Sequence, residues 1–284
     1  WPDFAAELQD ETGVDIDYRD HGTIVVGLDR DDLAAIDHLH AYHAELGLDV
    51  TRLSSEAMRE LEPGIVPSAH GGLLIPSDHQ VDTLLVMEAL KAAFIQAGGM
   101  LIEGTEVDEI LHDGTVATGV LAADDEWRCS TLIVAAGAWS RGLKGLEGEN
   151  RPYVRPVRGQ MISVELGEPP LCTHVLRAPD AYLIPKTSGR LIIGATMEEM
   201  GFDERLTAGG VFELLRGAWE TLPGVYDASI IDMWTGFRPV SLDNLPIIKR
   251  GGLNNLVIAT GHGRGGILLA PITAQKVADL VIAG

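Results

Sequence analysis

The fold is decided by the stretch Leu256-Val-Ile-Ala-Thr-Gly-His-Gly-Arg-Gly-Gly-Ile267, an apolar strand followed by a glycine-rich turn. We expect this turn to lead directly into a closing helix over residues 265–283. Such a turn brings backbone N–H groups and the positive end of a helix dipole close to a planar or anionic ligand. The stretch therefore predicts an α/β fold with a ligand at the turn.

Two arginines are suited to binding a carboxylate. Arg238 follows Trp234-Thr-Gly-Phe237 and precedes Pro239, whereas Arg264 lies within the glycine-rich turn. A guanidinium group grips a carboxylate through two parallel hydrogen bonds. Pro239 biases Arg238 towards an extended backbone, so we expect its side chain to leave the end of a strand in a fixed direction. A structural ion pair for Arg238 and a solvated turn position for Arg264 are the alternatives.

Further motifs occur along the chain, in an order that resembles a known family. They are Asp78-His-Gln-Val-Asp82, Thr131-Leu-Ile-Val-Ala-Ala-Gly-Ala-Trp-Ser140, Tyr182-Leu-Ile-Pro-Lys186 and Gly194-Ala-Thr-Met197. Together with the two arginine segments, they resemble the flavin-dependent amino-acid oxidases of the D-amino-acid oxidase type. Within that family the pattern is closest to glycine oxidase of thiamine biosynthesis, and the resemblance covers essentially the whole chain.

The resemblance implies an α/β architecture of two interleaved domains. A Rossmann-like FAD-binding domain is expected over residues 1–13, 77–150 and 247–284. An α+β substrate domain with a mostly antiparallel sheet is expected over residues 14–76 and 151–246. Family members begin with a strand and a Gly-x-Gly-x-x-Gly motif, which is not found near Trp1. We therefore expect an FAD-binding domain that is incomplete at its N-terminus and lacks about one βαβ unit.

The resemblance also implies site residues. The substrate-binding residues would be Tyr182, Met197, Arg238 and Arg264, with the Tyr182 hydroxyl and Arg238 on the carboxylate. The cofactor-binding residues would be Val107, Ala136, Gly137, Trp139, Gly261, His262, Gly263, Arg264, Gly265, Gly266 and Ile267. A buried strand valine at 107, core residues at 182 and 197, and a plain turn after residue 135 are the alternatives. No catalytic side chain is expected, because a turn histidine such as His262 is more often solvated or hydrogen-bonded.

The activity implied is FAD-dependent oxidation of glycine or a small amino acid to the 2-oxo acid, ammonia and hydrogen peroxide, with O2 as the electron acceptor. The product would serve thiazole formation for thiamine. Non-covalent FAD is expected, because Cys129 and Cys172, the only cysteines, are distant in sequence from the C-terminal turn. The alternatives are a sarcosine oxidase or D-amino-acid dehydrogenase of the same fold, and an inactive fragment unable to bind FAD.

Composition excludes several other classes. A net charge of −21 over 284 residues argues against nucleic acid and disfavours an anionic membrane. Two cysteines make a disulfide framework improbable and fit a reducing cytoplasm. No run of about 18 apolar residues is evident, so no membrane-spanning helix is expected. His38, His40 and His43 share one helix, but their spacing does not suit a metal site. A homo-oligomer remains possible.

Hydrophobic periodicity and turn residues predict the remaining elements. Helices are expected over 1–13, 31–46, 54–61, 81–97 and 207–222, with Asp82 as the N-cap of the fourth. An acidic turn is expected at Asp124-Asp-Glu126. Strands are expected over 22–28, 72–76, 116–122, 127–130, 131–135, 157–166, 181–185, 190–195 and 256–259, and from residue 100 to 110.

Overall fold

The computed structural model describes residues 1–283, so the last residue of the predicted 247–284 piece lies outside the described residues. The α-helices are α1 (Pro2–Thr12), α2 (Arg30–Glu45), α3 (Ser55–Leu61), α4 (Thr83–Gln96), α5 (Ala208–Thr221) and α6 (Ala270–Ile282). The β-strands are β1 (Thr23–Gly27), β2 (Thr51–Ser54), β3 (Gly71–Ile75), β4 (Val107–His112), β5 (Ala117–Ala122), β6 (Asp125–Arg128), β7 (Leu132–Val134), β8 (Val154–Glu165), β9 (Val175–Arg177), β10 (Tyr182–Pro185), β11 (Arg190–Gly194), β12 (Ile230–Ser241), β13 (Ile247–Arg250) and β14 (Leu256–Thr260).

The largest sheet has eight strands in the order β12-β8-β11-β10-β9-β1-β3-β2. All neighbours are antiparallel except β1 and β9. Helix α5 covers one face, where Leu214 and Ala218 join a core cluster with Ile162, Leu183 and Ile193. Burying these side chains stabilises the sheet because apolar surface leaves water. The predicted mostly antiparallel sheet is confirmed.

A second sheet, in the order β13-β14-β7, contains the strand that begins the deciding stretch. Strand β14 runs parallel to β7, with Leu256 opposite Leu132. All five residues of β14 are buried, as is typical of a parallel strand that is covered on both faces. A third sheet, β4-β5-β6, shares a core with it through Ile110, Val134 and Ile258.

The chain passes back and forth between these sheets. Segments 23–75 and 154–241 supply the large sheet, whereas segments 107–134 and 247–260 supply the two smaller ones. Helices α1 and α4, which are far apart in sequence, pack on each other through Ala5, Leu8, Val86 and Ala89. The interleaved α/β fold class is therefore confirmed, and the residue bounds of the two domains stay a prediction.

Local capping signals set several helix ends as expected. The Asp82 side chain accepts hydrogen bonds from the backbone N–H groups of Leu84 and Leu85, so it is the N-cap of α4. Gly13 follows α1 with φ 73°, a left-handed conformation that glycine adopts without a steric penalty.

The predicted start of the closing helix at Gly265 is wrong. Residues Gly263–Gly265 form a single 3₁₀ turn, and α6 begins only at Ala270. Gly265 and Gly266 disfavour an α-helix, whereas Pro271 fits the first helical turn because its missing N–H would have no partner there. The glycine-rich turn therefore extends further along the chain than the sequence pattern indicates.

Two strand predictions also need correction. The hairpin turn between β5 and β6 lies at Ala123 and Asp124, both with positive φ, and Asp125 and Glu126 already belong to β6. A two-residue turn of this kind matches the twist of the paired strands. Strand β4 begins at Val107 rather than at residue 100, after Gly104 has taken a left-handed conformation. The short strands β2, β9 and β13 were not predicted.

One segment of the described residues has the length and composition of a candidate membrane span, and the expectation that no helix spans a membrane stays a prediction. The segment Gly263–Ile282 is 20 residues long and has a mean hydropathy of 1.4, so it is long and apolar enough to cross a membrane. One such segment is weak evidence, since Lys276 and Asp279 lie within it and charged side chains are costly in lipid. The remaining described residues contain no segment of this kind.

Candidate active site

A pocket of about 450 Å³ brings together all four predicted substrate-binding residues. Its walls come from β1, α2, the segment that leads from β9 into β10, and the residues that follow β11. Arg238 of β12 and Arg264 of the glycine-rich turn also line it. The pocket therefore lies where the large sheet meets the turn after β14. The roles of these residues are not set by their positions alone and stay predictions.

Arg238 is half-buried in β12, opposite Val157 of β8. Its Nη1 donates to the carbonyl oxygen of Thr196 at 3.1 Å and to that of Arg158 at 3.4 Å. Among residues 1–283, no carboxylate forms an ion pair with Arg238. The structural ion pair considered as an alternative is thus not formed, and the guanidinium can donate hydrogen bonds to a ligand carboxylate.

The predicted position of Arg238 at a strand end is wrong. Strand β12 continues to Ser241, and Pro239 lies inside it. Proline lacks an N–H group, but β12 is an outer strand of the large sheet, so one side of its backbone has no partner strand. The outer position therefore tolerates Pro239 and keeps Arg238 within a paired, extended backbone.

Two glycines make room for the Arg238 and Tyr182 side chains. A Cβ atom at Gly159 would lie 2.5 Å from Nη1 of Arg238, and one at Gly194 would lie 2.5 Å from Cζ of Tyr182. Both glycines lie inside paired strands, where glycine often marks a close approach of another group. Sequence reasoning missed their role, although glycine within a strand was a usable signal.

Arg264 and Met197 complete the pocket from loops. Arg264 is exposed on the 3₁₀ turn and, within residues 1–283, belongs to no ion pair. Met197 is 63% exposed, so it is not the core methionine considered as an alternative. Tyr182 is partly buried at the start of β10. Cationic, hydroxyl and apolar groups thus face one cavity.

Two turns meet at the carboxyl ends of β7 and β14, which are adjacent parallel strands. The Thr260 hydroxyl donates to the carbonyl oxygen of Gly137 at 2.8 Å and joins the turns. Gly137 and Gly263 have φ of 52° and 53°, values that favour glycine. In open α/β sheets, ligands bind at this edge of the strands. The turns contain Ala136, Trp139 and the predicted residues from Gly261 to Ile267.

The backbone of the turn after β7 is open to the approach of a ligand. A Cβ atom at Gly137 would meet no atom within 4 Å, so a ligand can approach the backbone closely. Trp139 is 54% exposed and Leu268 is also exposed, which leaves an apolar rim next to the polar backbone. An isoalloxazine ring has apolar faces and hydrogen-bonding edges. The exposed Trp139 and Leu268 suit its faces, and the polar backbone of the turns suits its edges. The remaining cofactor contacts stay predictions.

The His262 side chain is engaged within the protein. Its Nε2 lies 2.9 Å from the Thr273 hydroxyl, and burial lowers the pKa of the imidazole below its ordinary value. A neutral, hydrogen-bonded ring has a structural role here, so any cofactor contact of His262 would come from its backbone. Val107, at the start of β4, pairs with Ala122 in a different sheet and does not line the pocket. Its predicted contact with the cofactor stays a prediction.

An aromatic cluster borders the site and was not predicted. Trp139 stacks on Phe202 at a centroid distance of 5.2 Å, and Phe237 meets both rings edge-on. These contacts join the turn after β7 to the loop after β11 and to β12. Edge-on aromatic pairs are favourable because the positive edge of one ring faces the negative face of the other. The cluster therefore fixes Phe237, the neighbour of Arg238.

The pattern of residues 2–280 matches the family model of FAD dependent oxidoreductases named DAO. The chain belongs to this family. FAD is therefore its cofactor, and neither cysteine lies in the two turns where the ring would bind, in agreement with non-covalent binding.

Similar proteins include three with assigned names. Glycine oxidase of Geobacillus kaustophilus is 34% identical over 287 residues, which cover 99% of this chain and 74% of that protein. Its crystal structure matches with a TM-score of 0.92 at 32% identity, covering 99% of this chain and 76% of that one. Hydrogen cyanide synthase subunit HcnC of Pseudomonas aeruginosa is 34% identical, with 99% and 68% covered.

The third similar protein is longer. The bifunctional protein ThiO/ThiG of Synechocystis sp. is 35% identical over 249 residues, which cover 85% of this chain and 37% of that protein. The chain thus spans well under half of this relative and about three quarters of the glycine oxidase.

Proposed function

We propose that this protein binds the carboxylate of glycine or another small amino acid between Arg238, Tyr182 and Arg264, and oxidises its C–N bond. One observation carries the proposal. In a chain of net charge −21, two guanidinium groups line one pocket without an acidic partner among the described residues. Unpaired cations in a partly enclosed space favour an anionic ligand.

The protein would act mainly by positioning the substrate. Nη1 of Arg238 is held by backbone carbonyls, so the other nitrogen atoms of its fork can face the carboxylate in a fixed orientation. The Tyr182 hydroxyl adds a donor. The apolar side chains of Ala35, Ile36 and Leu39 also line the pocket and would exclude water from that part of it. Held reactants react faster because the entropy of bringing them together is already lost.

No side-chain base is needed if the amine binds in its neutral form. The two acidic residues of the pocket wall are engaged elsewhere: Asp32 accepts hydrogen bonds from the backbone N–H groups of Leu28 and Asp29, and Asp180 pairs with Arg216. Neither is therefore assigned as a base. The substrate amine would lose its proton to solvent before binding.

When bound, FAD would supply the acceptor for the two electrons that leave the substrate and their route to O2, which would become hydrogen peroxide. The oxidised substrate is an imine, and its hydrolysis gives the 2-oxo acid and ammonia. We extend the proposal to a role of the glycine imine in thiazole formation for thiamine. The similarity to the bifunctional protein ThiO/ThiG supports this extension. A cytoplasmic location and homo-oligomerisation also stay proposals.

The test is a substrate panel with the FAD-loaded protein. Peroxide should form with glycine in the presence of oxygen, and the flavin absorbance should fall without oxygen. Preference for sarcosine would favour a sarcosine oxidase, and flavin reduction without peroxide would favour a dehydrogenase. Absence of flavin bands from the protein, after FAD has been added and unbound FAD removed, would favour the inactive fragment. Lack of flavin reduction by glycine, sarcosine and D-alanine would refute the proposal.

A second candidate is a subunit of a hydrogen cyanide synthase. The similarity to HcnC, which equals the 34% identity to glycine oxidase, favours it. Measuring cyanide and peroxide from glycine in the same reaction separates the two candidates. Peroxide without cyanide supports the oxidase, and cyanide supports the second candidate.

A further inference from the structure

Directly behind the pocket, β8 carries an arginine that is almost completely buried. Arg158 is 1% exposed, and its guanidinium forms an ion pair with Glu198 and lies 3.6 Å from the Asp203 carboxylate. Its Nη1 also donates to the backbone carbonyls of Asp203 and Arg205, at 3.1 and 3.0 Å. Arg158 thus ties β8 to the loop that follows β11.

Glu198 connects this pair to the neighbouring polar side chains. Its Oε1 accepts a hydrogen bond from the Thr196 hydroxyl at 2.5 Å and from Nε2 of Gln160 at 2.7 Å. Burial alone would raise the pKa of the Glu198 carboxyl. The hydrogen bonds from Arg158, Thr196 and Gln160 outweigh burial and lower that pKa, so the group is ionised at neutral pH.

The network reaches the substrate site through the backbone. The two carbonyl oxygens that accept hydrogen bonds from Nη1 of Arg238 belong to Thr196 and Arg158, and the side chains of both residues bind Glu198. The same loop carries Met197 into the pocket wall and Phe202 onto the aromatic cluster. Any shift of Glu198 would therefore move the groups that orient Arg238.

Stability alone is a poor explanation for this arrangement. A buried ion pair loses much of its attraction to the cost of removing both charges from water, and apolar residues of similar size often serve as well. Arg158 Nε is a buried donor with no hydrogen-bond partner among the described residues, but Nη1 and Nη2 are both bonded. A connected polar network of this kind specifies the arrangement of the groups around it.

We propose that Glu198 and Arg158 are positioning residues that set the affinity of Arg238 for the substrate carboxylate. This inference rests on the proposed function, because it takes Arg238 as the carboxylate-binding group. The pair does not touch the substrate in this proposal. It holds the Thr196 and Arg158 carbonyls at the positions that orient the guanidinium.

The test compares Glu198→Gln and Glu198→Ala with Glu199→Gln in the FAD-loaded protein. Glu199 is the adjacent residue, but it is exposed and pairs with Arg155 at 3.0 Å, away from the network. Glycolate, a carboxylate without an amine, serves as the probe, and its dissociation constant is read from the shift in flavin absorbance. The midpoint of thermal unfolding is measured in parallel.

We expect Glu198→Ala to raise the glycolate dissociation constant by about tenfold or more, which is about 1.4 kcal/mol. Glu198→Gln should give a smaller rise, because its amide oxygen can still accept from Thr196 and Gln160. Glu199→Gln should stay within about twofold. In steady-state kinetics the change should fall mainly on KM rather than kcat. A role limited to stability would lower the unfolding midpoint and leave the glycolate constant unchanged.

Thr196→Val provides a second variant if Glu198→Ala does not fold. It keeps the charge of Glu198 but removes two hydrogen bonds, the one that the Thr196 hydroxyl donates to Glu198 and the one that it accepts from the backbone N–H of Gln160. We expect about a threefold rise in the glycolate dissociation constant, a modest loss of free energy. Unchanged glycolate binding in the folded Glu198 and Thr196 variants would overturn the inference. Arg238→Lys separates the two claims. If it weakens glycolate binding and the Glu198 variants do not, only this inference fails; if it has no effect, the proposed function fails.

Discussion

At the scale of single residues, the site depends on side chains whose partners come from distant parts of the chain. Arg238 was a candidate from sequence because its type and its neighbour Pro239 carry a signal. Arg264 was also a candidate from sequence, because it is an arginine within a glycine-rich turn. Tyr182 and Met197 were candidates by resemblance, and all four residues line one pocket. Glu198 and Gly159 were not found, because their importance comes from what lies against them in space, which no local pattern records.

Arg238→Lys should weaken carboxylate binding by about 2–4 kcal/mol while the protein stays folded. Lysine keeps the charge but cannot hold two backbone carbonyls and a carboxylate with one planar group. The dissociation constant of glycolate and the unfolding midpoint are the measurements. Arg128→Lys, on an exposed side chain, is the control. A change smaller than about tenfold, which is about 1.4 kcal/mol, would show that Arg238 does not bind the carboxylate.

Glu62 gives a prediction about stability. Its buried carboxylate accepts hydrogen bonds from the backbone N–H and hydroxyl of Thr173 and from the backbone and ring of His174. Burial alone would raise the pKa of Glu62, but these bonds outweigh it and lower that pKa. Glu62→Ala should reduce the free energy of unfolding by about 3 kcal/mol.

The pH dependence of this effect has a defined sign. Because the folded pKa of Glu62 lies below its ordinary value of 4.5, the stabilisation is present above pH 4.5 and is lost as the pH falls through the folded pKa. The difference in unfolding free energy between wild type and Glu62→Ala should therefore shrink below that pH. Glu60→Ala, on an exposed residue of helix α3, which ends just before Glu62, should show no such change. A constant difference down to acid pH would contradict the assignment.

At the scale of elements, the sequence predicts best where one local signal decides. Helix α4 is recognisable from the Asp82 cap, and β14 from its continuous apolar run. The predicted start of α6 was wrong because Gly265 and Gly266 disfavour a helix at the position where the apolar pattern alone would begin one. The three-residue strand β9 carries too little pattern to predict, and it forms because β1 and β10 pair with it on either side.

The pairing of β8 with β12 gives a matched prediction. Gly159 and Gly236 lie opposite each other on the two strands. A Cβ atom at Gly159 would collide with the Arg238 guanidinium, whereas a Cβ atom at Gly236 would meet no atom within 4 Å. Gly159→Ala should displace Arg238 and weaken glycolate binding by about tenfold, about 1.4 kcal/mol. Gly236→Ala should bind glycolate like wild type. Equal glycolate constants for the two variants would show that Gly159 does not set the position of Arg238.

At the scale of the whole molecule, a chain of net charge −21 forms a pocket lined by three arginines, and two of them, Arg238 and Arg264, have no acidic partner among the described residues. The acidic composition argued against nucleic-acid binding, which stays a prediction, and the order of motifs indicated the interleaved fold. The pocket itself could not be predicted, since it forms only where residues from β1, α2, β10 and β12 converge.

The same charge predicts a response to salt. Repulsion among excess acidic groups destabilises the folded state, and added salt screens it within about 10 Å at 0.1 M. The unfolding midpoint should therefore rise as NaCl increases from low concentration to about 0.5 M, where the screening length is shorter still. Exposed ion pairs contribute little individually, so their loss should not reverse the trend. A midpoint that falls over this range would contradict the prediction.

The measurement that most directly tests the account is anaerobic reduction of the bound flavin by matched amines. Glycine and ethylamine are mixed with the FAD-loaded wild type and with Arg238→Met, and the flavin absorbance is followed over time. The account predicts rapid loss of absorbance for wild type with glycine, and little loss with ethylamine or in the variant, because the carboxylate on Arg238 positions the substrate. Equal rates for glycine and ethylamine, or for wild type and Arg238→Met, would contradict it.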